Sequence, residues 1–333
     1  MPLPRRLDLI LRPTPIHRLP RLSDELGIDL WIKRDDLTGF ALGGNKGRKL
    51  EFLMADALAQ EAQAVVGAGA AQSNFIRQLG AACAMLGLRC AAAVMHLPYF
   101  AAAGRPKGEG LSEDGGNLAL DRLLGVDLRM HPDGDWVELE RHAEELAREY
   151  EAQGLNVYRV PVGGSSPLSA YAFCEAAGEA KEQAGEFDAL VTPSSSGATH
   201  AGLAYFHHGS STRVIGVCAD DDPKGELVED VDKLCSELDS LTGDNRRIGA
   251  ADLEMRLEWV GAGYSIPSAS GNGAIAYLAR AEGIFLDPVY GGKAFAGLLD
   301  MARSGDLKGR VLYWHTGGAP TLFATDLSDS FGS

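Results

Sequence analysis

The sequence has few cysteines, no long apolar segment and no low-complexity tail. Its five cysteines are Cys83, Cys90, Cys174, Cys218 and Cys235. Their odd number and the absence of C-x-x-C spacing argue against a disulfide framework and a zinc site, and indicate reduced thiols. No run of about 18 apolar residues is present, and the N-terminus lacks the apolar core of a signal peptide. We therefore expect a soluble, cytoplasmic protein.

Positive charge is also scarce. The 31 lysine and arginine residues are outnumbered by 46 aspartate and glutamate residues, and the net charge of −15 argues against nucleic acid and an anionic membrane surface as partners. No Ser-His-Asp spacing, G-x-S-x-G elbow or H-E-x-x-H motif occurs, so neither hydrolase chemistry nor a metal site is predicted. The length of 333 residues and the hydrophobic fraction of 45% allow two domains or one large α/β domain.

The most informative stretch runs from Leu42 to Glu51. Two glycines form a tight turn directly before Lys46 and an amphipathic helical pattern, and such a turn lets a flat ligand approach the backbone. Lys46, Arg48 and Lys49 fall in the first helical turn, where the helix dipole disfavours positive charge. Three basic residues there indicate an anionic partner, such as a phosphorylated ligand. The alternative interpretation is an ordinary solvated basic turn.

Strand and helix patterns alternate along the chain. The predicted buried strands include residues 30–32, 64–66, 90–95, 188–192 and 310–313. Helical patterns follow most of them, which predicts a doubly wound, mostly parallel α/β sheet. The change from a charged helix to the glycine turn at residues 161–167 is the best internal boundary.

Two loops are candidates for ligand binding, and the second has two interpretations. Residues 196–199 offer hydroxyl and backbone N–H groups at a helix start, which suits a phosphate, although small residues also build ordinary turns. A glycine turn predicted at residues 67–72 invites a dinucleotide interpretation, but it lacks the third glycine and the acidic residue after the next strand. Gln72, Ser73 and Asn74 present amide, hydroxyl and N–H groups that suit a substrate carboxylate or a cofactor hydroxyl.

Four further side chains have both a functional and a structural interpretation. Tyr264 and Tyr290 lie in turns, where they are either site residues or packed aromatics. His200 follows one small-residue loop and His315 directly precedes another, and a structural role is favoured for each of them.

Eight motifs occur in order in separate loops. They are Lys33-Arg-Asp-Asp36, Gly43-Gly-Asn-Lys-Gly-Arg-Lys-Leu-Glu51, Gln72-Ser-Asn74, Gly116-Asn-Leu118, Pro161-Val-Gly-Gly-Ser165, Gly197-Ala-Thr-His-Ala-Gly202, Asp287-Pro-Val-Tyr290 and His315-Thr-Gly-Gly318. Together, over about residues 10–325, they resemble the D-cysteine desulfhydrase and 1-aminocyclopropane-1-carboxylate (ACC) deaminase family. These are pyridoxal 5′-phosphate (PLP) enzymes of fold type II, the fold of the tryptophan synthase β-subunit.

The resemblance implies a two-domain architecture. Both domains are expected to be doubly wound, mostly parallel three-layer αβα units. The large domain would comprise residues 1–46 and 161–333, and the small domain residues 47–160. The cofactor would lie between them.

The resemblance also implies a set of cofactor-binding residues. Lys46 is expected to form a Schiff base with PLP and, after the substrate amine displaces it, to act as the base at the substrate Cα. Asn74, with Asn45, is expected to bond the ring hydroxyl, and Thr316 to contact the ring nitrogen. The phosphate is expected to be held by Lys49, Ser196, Gly197, Ala198 and Thr199.

A second set is implied for the substrate. Ser73, with Gln72, is expected to receive the substrate carboxylate, and Tyr264 and Tyr290 to face the substrate as acid, base or positioning groups. PLP would supply the electron sink, while the protein controls the ring nitrogen and cradles the phosphate. The full substrate-binding set is Gln72, Ser73, Asn74, Gly164, Tyr264 and Tyr290.

Two positions discriminate between activities in the family. ACC deaminases carry a glutamate after the tyrosine of the Pro-Val-Tyr motif and a leucine after the histidine of the last loop, whereas this chain has Gly291 and Thr316. A carboxylate next to the pyridine nitrogen of PLP keeps it protonated and strengthens the electron sink, whereas a threonine hydroxyl is a weaker partner for that nitrogen. The weaker sink is sufficient for elimination, because the leaving group on Cβ carries away the electron pair of the carbanion. The glycine departs from the threonine expected in desulfhydrases, and a wider pocket would admit a sulfonate.

We therefore predict α,β-elimination from D-cysteine or a close β-substituted alanine, giving pyruvate, ammonia and hydrogen sulfide. L-cysteate sulfo-lyase is the first alternative and ACC deaminase the next. A non-catalytic protein that binds PLP or an amino acid, and a dinucleotide-binding protein, are alternatives from other classes. A homodimer is expected, while the sequence leaves the chirality of the substrate open.

Overall fold

The computed structural model describes residues 4–325, and the two ends of the predicted large domain, residues 1–3 and 326–333, lie outside this range. The strands are β1 (Ile16–Arg18), β2 (Asp29–Arg34), β3 (Ala64–Ala70), β4 (Arg89–Met95), β5 (Asp127–His131), β6 (Val157–Arg159), β7 (Ala189–Ser194), β8 (Arg213–Cys218), β9 (Glu254–Arg256) and β10 (Arg310–His315). The helices are α1 (Pro20–Leu26), α2 (Lys46–Ala59), α3 (Asn74–Leu86), α4 (Gly116–Leu123), α5 (Trp136–Ala152), α6 (Pro167–Ala184), α7 (Ala198–His207), α8 (Glu226–Thr242), α9 (Ala269–Glu282) and α10 (Gly291–Arg303).

The strands form two sheets. The larger has the order β1-β2-β10-β7-β8-β9 and is parallel except where β1 pairs with β2. The smaller, β5-β4-β3-β6, is entirely parallel. The chain reverses its direction of winding between β3 and β6 and between β7 and β10, which are the positions where open α/β sheets bind ligands. The predicted mostly parallel α/β class is confirmed.

Both faces of each sheet are covered by helices. In the larger sheet, the adjacent β7 residues Leu190 and Val191 belong to different cores, one formed with α6 and α7 and the other with α1, α9 and α10. In the smaller sheet, Val65 packs with α2 and α3, and the next residue, Val66, packs with α5. Successive strand residues point to opposite faces, so this alternation builds the three-layer arrangement. None of the helices within residues 4–325 is long and apolar enough to cross a membrane.

The glycine turn predicted at residues 67–72 is wrong in its extent, because β3 continues through Ala70. A Cβ at Gly67 would lie 3.2 Å from Leu79 Cδ2, and one at Gly69 would lie 3.0 Å from Ser73 Oγ. These two glycines therefore let α3 pack closely on β3, and the chain turns only at residues 71–73. Three elements, β1, β9 and α9, had no counterpart in the sequence prediction.

Candidate active site

One pocket lies where the carboxyl ends of strands from both sheets meet, and we call it the central pocket. It encloses about 710 Å³, counted out to its open mouth, a volume typical of a small-molecule site. Widely separated stretches of the chain meet in it. The predicted site residues that line it are Asn45, Lys46, Lys49, Ser73, Asn74, Ser196, Gly197, Thr199, Tyr264, Tyr290 and Thr316.

Lys46 and Lys49 project from the first turn of α2 into the central pocket. Both ammonium groups donate to the carbonyl oxygen of Gly163, at 3.4 Å and 3.2 Å. Burial lowers the pKa of Lys46 to about 8. Burial, followed by the charge of Lys46, lowers the pKa of Lys49 well below its ordinary value. No carboxylate of residues 4–325 pairs with either nitrogen, so the two amines lack an anion.

The loop between β7 and α7 forms the wall next to these amines. Gly197 has a φ of +87° and precedes the first residue of α7, where the helix dipole favours an anion. Asn45 Nδ2 donates to Thr199 Oγ1 at 3.0 Å and ties this helix start to the residue before Lys46. The loop also carries the hydroxyl group of Ser196. Hydroxyls, a helix start and two amines thus surround one part of the pocket.

The opposite wall is the turn from β3 into α3. Ser73 caps α3, and its Oγ accepts from the N–H groups of Phe75 at 3.2 Å and Ile76 at 3.4 Å. Asn74 follows at the first helical position, and its Oδ1 accepts from Asn117 Nδ2 at 2.9 Å. The hydroxyl proton of Ser73 and the NH₂ group of Asn74 therefore remain as donors.

Two tyrosines cover a third side of the pocket. The hydroxyl groups of Tyr264 and Tyr290 hydrogen-bond to each other, and burial raises the pKa of both. The ring of Trp136 stacks edge-on against Tyr264 with 5.2 Å between centroids, and its Nε1 donates to Asp220 Oδ2 at 3.3 Å. Burial raises the pKa of Asp220 to about 7. Both tyrosines are thus held neutral beside the open space.

Comparison with known proteins identifies the family. The family model described as "Pyridoxal-phosphate dependent enzyme" matches residues 7–317. This chain belongs to the PLP-dependent enzymes. Two curated D-cysteine desulfhydrases, from Salmonella choleraesuis (strain SC-B67) and Salmonella typhi, are each 41% identical to it over 327 residues, which cover 96% of this chain and 95% of each relative.

Solved structures agree with this assignment. A crystal structure described as an ACC deaminase homologue is 35% identical, has a TM-score of 0.87, and is matched over 96% of this chain and 94% of that one. Threonine deaminase isoform 2 from Solanum lycopersicum has a TM-score of 0.63 over 93% of this chain and 80% of its own. At 19% identity it shows the fold alone. The predictions of the family, of PLP fold type II and of the PLP cofactor are confirmed.

The residues of the central pocket fit PLP. Lys49 is buried and Lys46 half-buried, and neither amine has an anion of its own within residues 4–325. A phosphorylated aldehyde would supply a phosphate for Lys49 and a carbonyl carbon for Lys46. The start of α7 lies beside them with Gly197 in a left-handed conformation. A Cβ at Gly163 would collide with Ser196 Oγ and lie 3.7 Å from Lys46 Nζ, so the absence of a side chain there keeps this part of the pocket open.

Three predicted residues lie outside the pocket lining. The amide of Gln72 is occupied, because its Nε2 donates to Ser112 O at 2.8 Å and its Oε1 accepts from Asn117 N at 2.8 Å. A Cβ at Gly164 would lie 2.5 Å from Phe75 Cε2. The N–H of Ala198 donates to Ser165 Oγ at 3.2 Å. The structure thus places these three residues behind the wall, where they shape it.

The two positions that discriminate between activities lie in different surroundings. Thr316 lines the central pocket and accepts from Asn45 N through its backbone oxygen at 2.9 Å. Gly291 does not line it. A Cβ at Gly291 would lie 2.9 Å from Asp287 Oδ1 and 3.3 Å from Leu286 Cβ, so packing against these residues accounts for the glycine. Gly291 therefore does not itself widen the central pocket.

The two histidines also differ. His315 is fully buried; its Nδ1 accepts from Gly317 N at 3.1 Å, so its Nε2 carries the proton and donates to Phe285 O at 2.9 Å. This agrees with the structural role favoured for His315. His200 lines the central pocket, although burial lowers its pKa to about 4 and keeps the ring neutral.

Sequence reasoning missed several lining residues. Trp136 starts the helix that follows β5, so its place at the carboxyl end of a strand was the available signal. Gly163 lies inside a quoted motif but was not singled out. Ser194 and Ser195 directly precede the predicted phosphate loop and also line the pocket.

Proposed function

We propose that this protein is a D-cysteine desulfhydrase, which converts D-cysteine and water into pyruvate, ammonia and hydrogen sulfide. The observation that carries the proposal is a half-buried lysine, Lys46, without a counter-ion in the described part of the chain. It faces, across one pocket, a helix start and a pair of neutral tyrosines. The 41% identity to curated D-cysteine desulfhydrases over 96% of this chain supports the choice of substrate.

Each wall of the central pocket has its own proposed role. PLP, when bound, supplies the electron sink for elimination. Lys49 and the loop at residues 196–199 hold its phosphate, the NH₂ of Asn74, with Asn45, bonds its ring hydroxyl, and Thr316 faces its ring nitrogen. Lys46, whose pKa burial lowers to about 8, attaches the cofactor and takes the proton from the substrate Cα.

The remaining residues orient the substrate. The substrate carboxylate binds at the start of α3, where the Ser73 hydroxyl and the helix dipole favour an anion. Burial raises the pKa of Tyr264 and Tyr290, so both hydroxyls keep their protons at neutral pH. One of them donates to the other, which leaves one O–H proton for the departing sulfur.

The mouth of the pocket favours D-cysteine over L-cysteate. A neighbouring cavity shares Trp136, Val162, Ser195 and Ser196 with the central pocket, and we propose that it is the entrance. The charged residues that line this entrance are four acids and one lysine: Glu140, Asp220, Asp230, Glu237 and Lys233. Burial raises the pKa of Asp220 to about 7, so the other three carboxylates supply most of the negative charge that would repel the additional anionic group of a sulfonate.

The proposal also covers the location and assembly of the protein. We propose a cytoplasmic homodimer without nucleic-acid or membrane partners, in line with the net charge of −15. The domain boundaries at residues 46 and 160 are supported by the sheets, since β3 to β6 form the smaller sheet and the other strands form the larger one.

The deciding experiment offers D-cysteine, L-cysteine, L-cysteate and ACC separately to the purified, PLP-loaded protein. We expect pyruvate and sulfide in equal amounts from D-cysteine. Lys46→Ala should reduce this turnover by a factor of at least about 100, while Lys308→Ala, at an exposed lysine, should not change it. Pyruvate and sulfite from L-cysteate alone, α-ketobutyrate from ACC alone, or no product at all would each refute the proposal.

A further inference from the structure

A chain of buried polar side chains runs behind the wall of the central pocket. It consists of Arg77 on α3, Asn117 on α4 and Asn74 at the start of α3, with exposed fractions of 1%, 0% and 8%. Arg77 Nε donates to Asn117 Oδ1 at 2.7 Å, and Asn117 Nδ2 donates to Asn74 Oδ1 at 2.9 Å. Arg77 Nη2 also donates to the carbonyl oxygen of Gly43, in the turn before Lys46, at 3.3 Å. We call these three side chains the Arg77 relay.

The chemistry of the groups fixes the direction of the Arg77 relay. A guanidinium group has only donors, so the carbonyl end of the Asn117 amide must face Arg77. The nitrogen of Asn117 then points away from Arg77, and it donates to Gln72 O at 2.8 Å as well as to Asn74. The Asn74 amide consequently turns its oxygen to Asn117. Its NH₂ group is the end left for the central pocket.

We propose that Arg77 is a positioning residue that acts through Asn117 to make Asn74 a hydrogen-bond donor to the ring hydroxyl oxygen of PLP. The inference rests on the proposed contact between Asn74 and the cofactor. A donor at that oxygen stabilises its deprotonated form. It therefore lowers the pH at which the bound cofactor loses the proton shared between the ring oxygen and the linkage to Lys46. An amide turned the other way would raise that pH.

Asp121 provides a matched control. It lies on the same helix as Asn117 and is fully buried, and neither of its carboxyl oxygens has a hydrogen-bond partner among residues 4–325. Burial raises the pKa of Asp121 to about 7, against the opposing effect of the Arg77 charge. Asp121 thus interacts electrostatically with Arg77 but makes no hydrogen bond to the Arg77 relay.

The test compares two ligands, PLP and 3-deoxypyridoxal 5′-phosphate, which lacks the ring hydroxyl. Asn117→Asp has nearly the same shape and still accepts from Arg77, but its acid cannot donate to Asn74 when ionised. We expect this variant to bind PLP about tenfold more weakly and the deoxy analogue as tightly as the unmodified protein does. Asp121→Asn should retain the unmodified ratio of the two affinities.

A spectroscopic measurement provides a second readout. The visible absorption of the bound cofactor changes when it loses its shared proton, and in Asn117→Asp the midpoint of this change should move to higher pH. Arg77→Lys keeps the charge but not the planar fork, so its midpoint should fall between those of the unmodified protein and Asn117→Asp.

Three outcomes would overturn the proposal. If Asn117→Asp lost equal affinity for both ligands, Asn117 would have only a structural role. If Asn117→Asp bound PLP as tightly as the unmodified protein, the Arg77 relay would have no effect on the cofactor. A retained preference for PLP over the analogue in Asn74→Ala would show that Asn74 does not contact the ring hydroxyl. These measurements use no amino-acid substrate, so D-cysteine turnover by the unmodified protein tests the proposed function separately.

Discussion

Two groups of basic side chains lie on or next to α2. In one group the protein supplies carboxylates that pair with the cations, and in the other it does not. In the first group, Lys33 Nζ lies 2.6 Å from Glu179 Oε1, and the Arg48 guanidinium lies 2.9 Å from Asp35 Oδ1 and 2.8 Å from Glu179 Oε1. We call these four side chains the paired cluster. Its cations are neutralised within the fold, so the paired cluster needs no ligand.

The second group consists of Lys46 and Lys49, which share a single carbonyl oxygen. The sequence places Arg48 between them, and the three residues were expected to call for one anionic ligand. That expectation is wrong for Arg48, because its anions are Asp35 and Glu179. A buried cation without an internal partner costs several kcal/mol, and the missing partner, more than the basic residue itself, marks the ligand site.

The largest effect should follow when the paired cluster loses one anion. Asp35→Asn would leave the buried Arg48 charge partly uncompensated, and we expect a loss of about 3–5 kcal/mol in the free energy of unfolding. Urea denaturation measures it. Glu145→Gln, which removes an exposed ion pair with Arg141, is the control and should change nothing measurable. Equal stability of Asp35→Asn and the unmodified protein would erase the distinction between the two groups.

A smaller and opposite response is expected from the unpaired amines. Lys49→Met replaces a buried amine that has no anion with an apolar side chain of similar length, so the protein without PLP should become more stable to urea. The same change should weaken PLP binding roughly ten- to a hundredfold, because a charged hydrogen bond to the phosphate is lost. Lys308→Met at an exposed lysine should affect neither quantity. A loss of stability in Lys49→Met would mean that Lys49 belongs with the paired cluster.

The pH dependence of unfolding should also separate the two groups. Burial alone would raise the pKa of Glu179, but hydrogen bonds from Arg48 and Lys33 lower it from 4.5 to about 2. The folded state therefore binds fewer protons there, and this stability is present above pH 4.5 and lost as the pH falls toward 2.

The cofactor-free protein should respond in the alkaline range as well. Burial lowers the pKa of Lys46 from 10.5 to about 8, so the unfolded state binds more protons and stability should rise between these values, by at most about 1.4 kcal/mol per pH unit. Urea unfolding at a series of pH values measures both trends. Lys46→Ala should reduce the alkaline rise, and Glu179→Gln the acid loss. An unaltered alkaline rise in Lys46→Ala would contradict the assignment.

Much of the fold could be predicted from sequence, since alternating short apolar runs and helical patterns are local features. The strand at residues 64–66 was predicted too short, because Gly67 and Gly69 were interpreted by their conformational freedom. What decides their structure is the close approach of α3, which is a long-range contact. The element β9 was missed because only three of its residues pair, and each is half-buried.

The sequence predicted those site residues that belong to the recognised motifs. Gln72 was expected at the substrate, but whether an amide faces the pocket or a neighbouring loop depends on partners such as Ser112, 40 positions away. The Arg77 relay could not be predicted either, because its partners are also distant in sequence. A buried arginine inside a helix has no local signature, and its role appears only when Asn117 is placed beside it.

The glycine at position 69 has a consequence for how variants of this protein would be interpreted. It lies in the interior of β3, where substitutions are usually classified as stability defects. A methyl group at this position would lie 3.0 Å from Ser73 Oγ, so it would displace the residue proposed to hold the substrate carboxylate. An alanine here, one residue before the end of β3, would then raise the KM for the substrate, and a screen of core positions would misclassify this binding defect as a loss of stability.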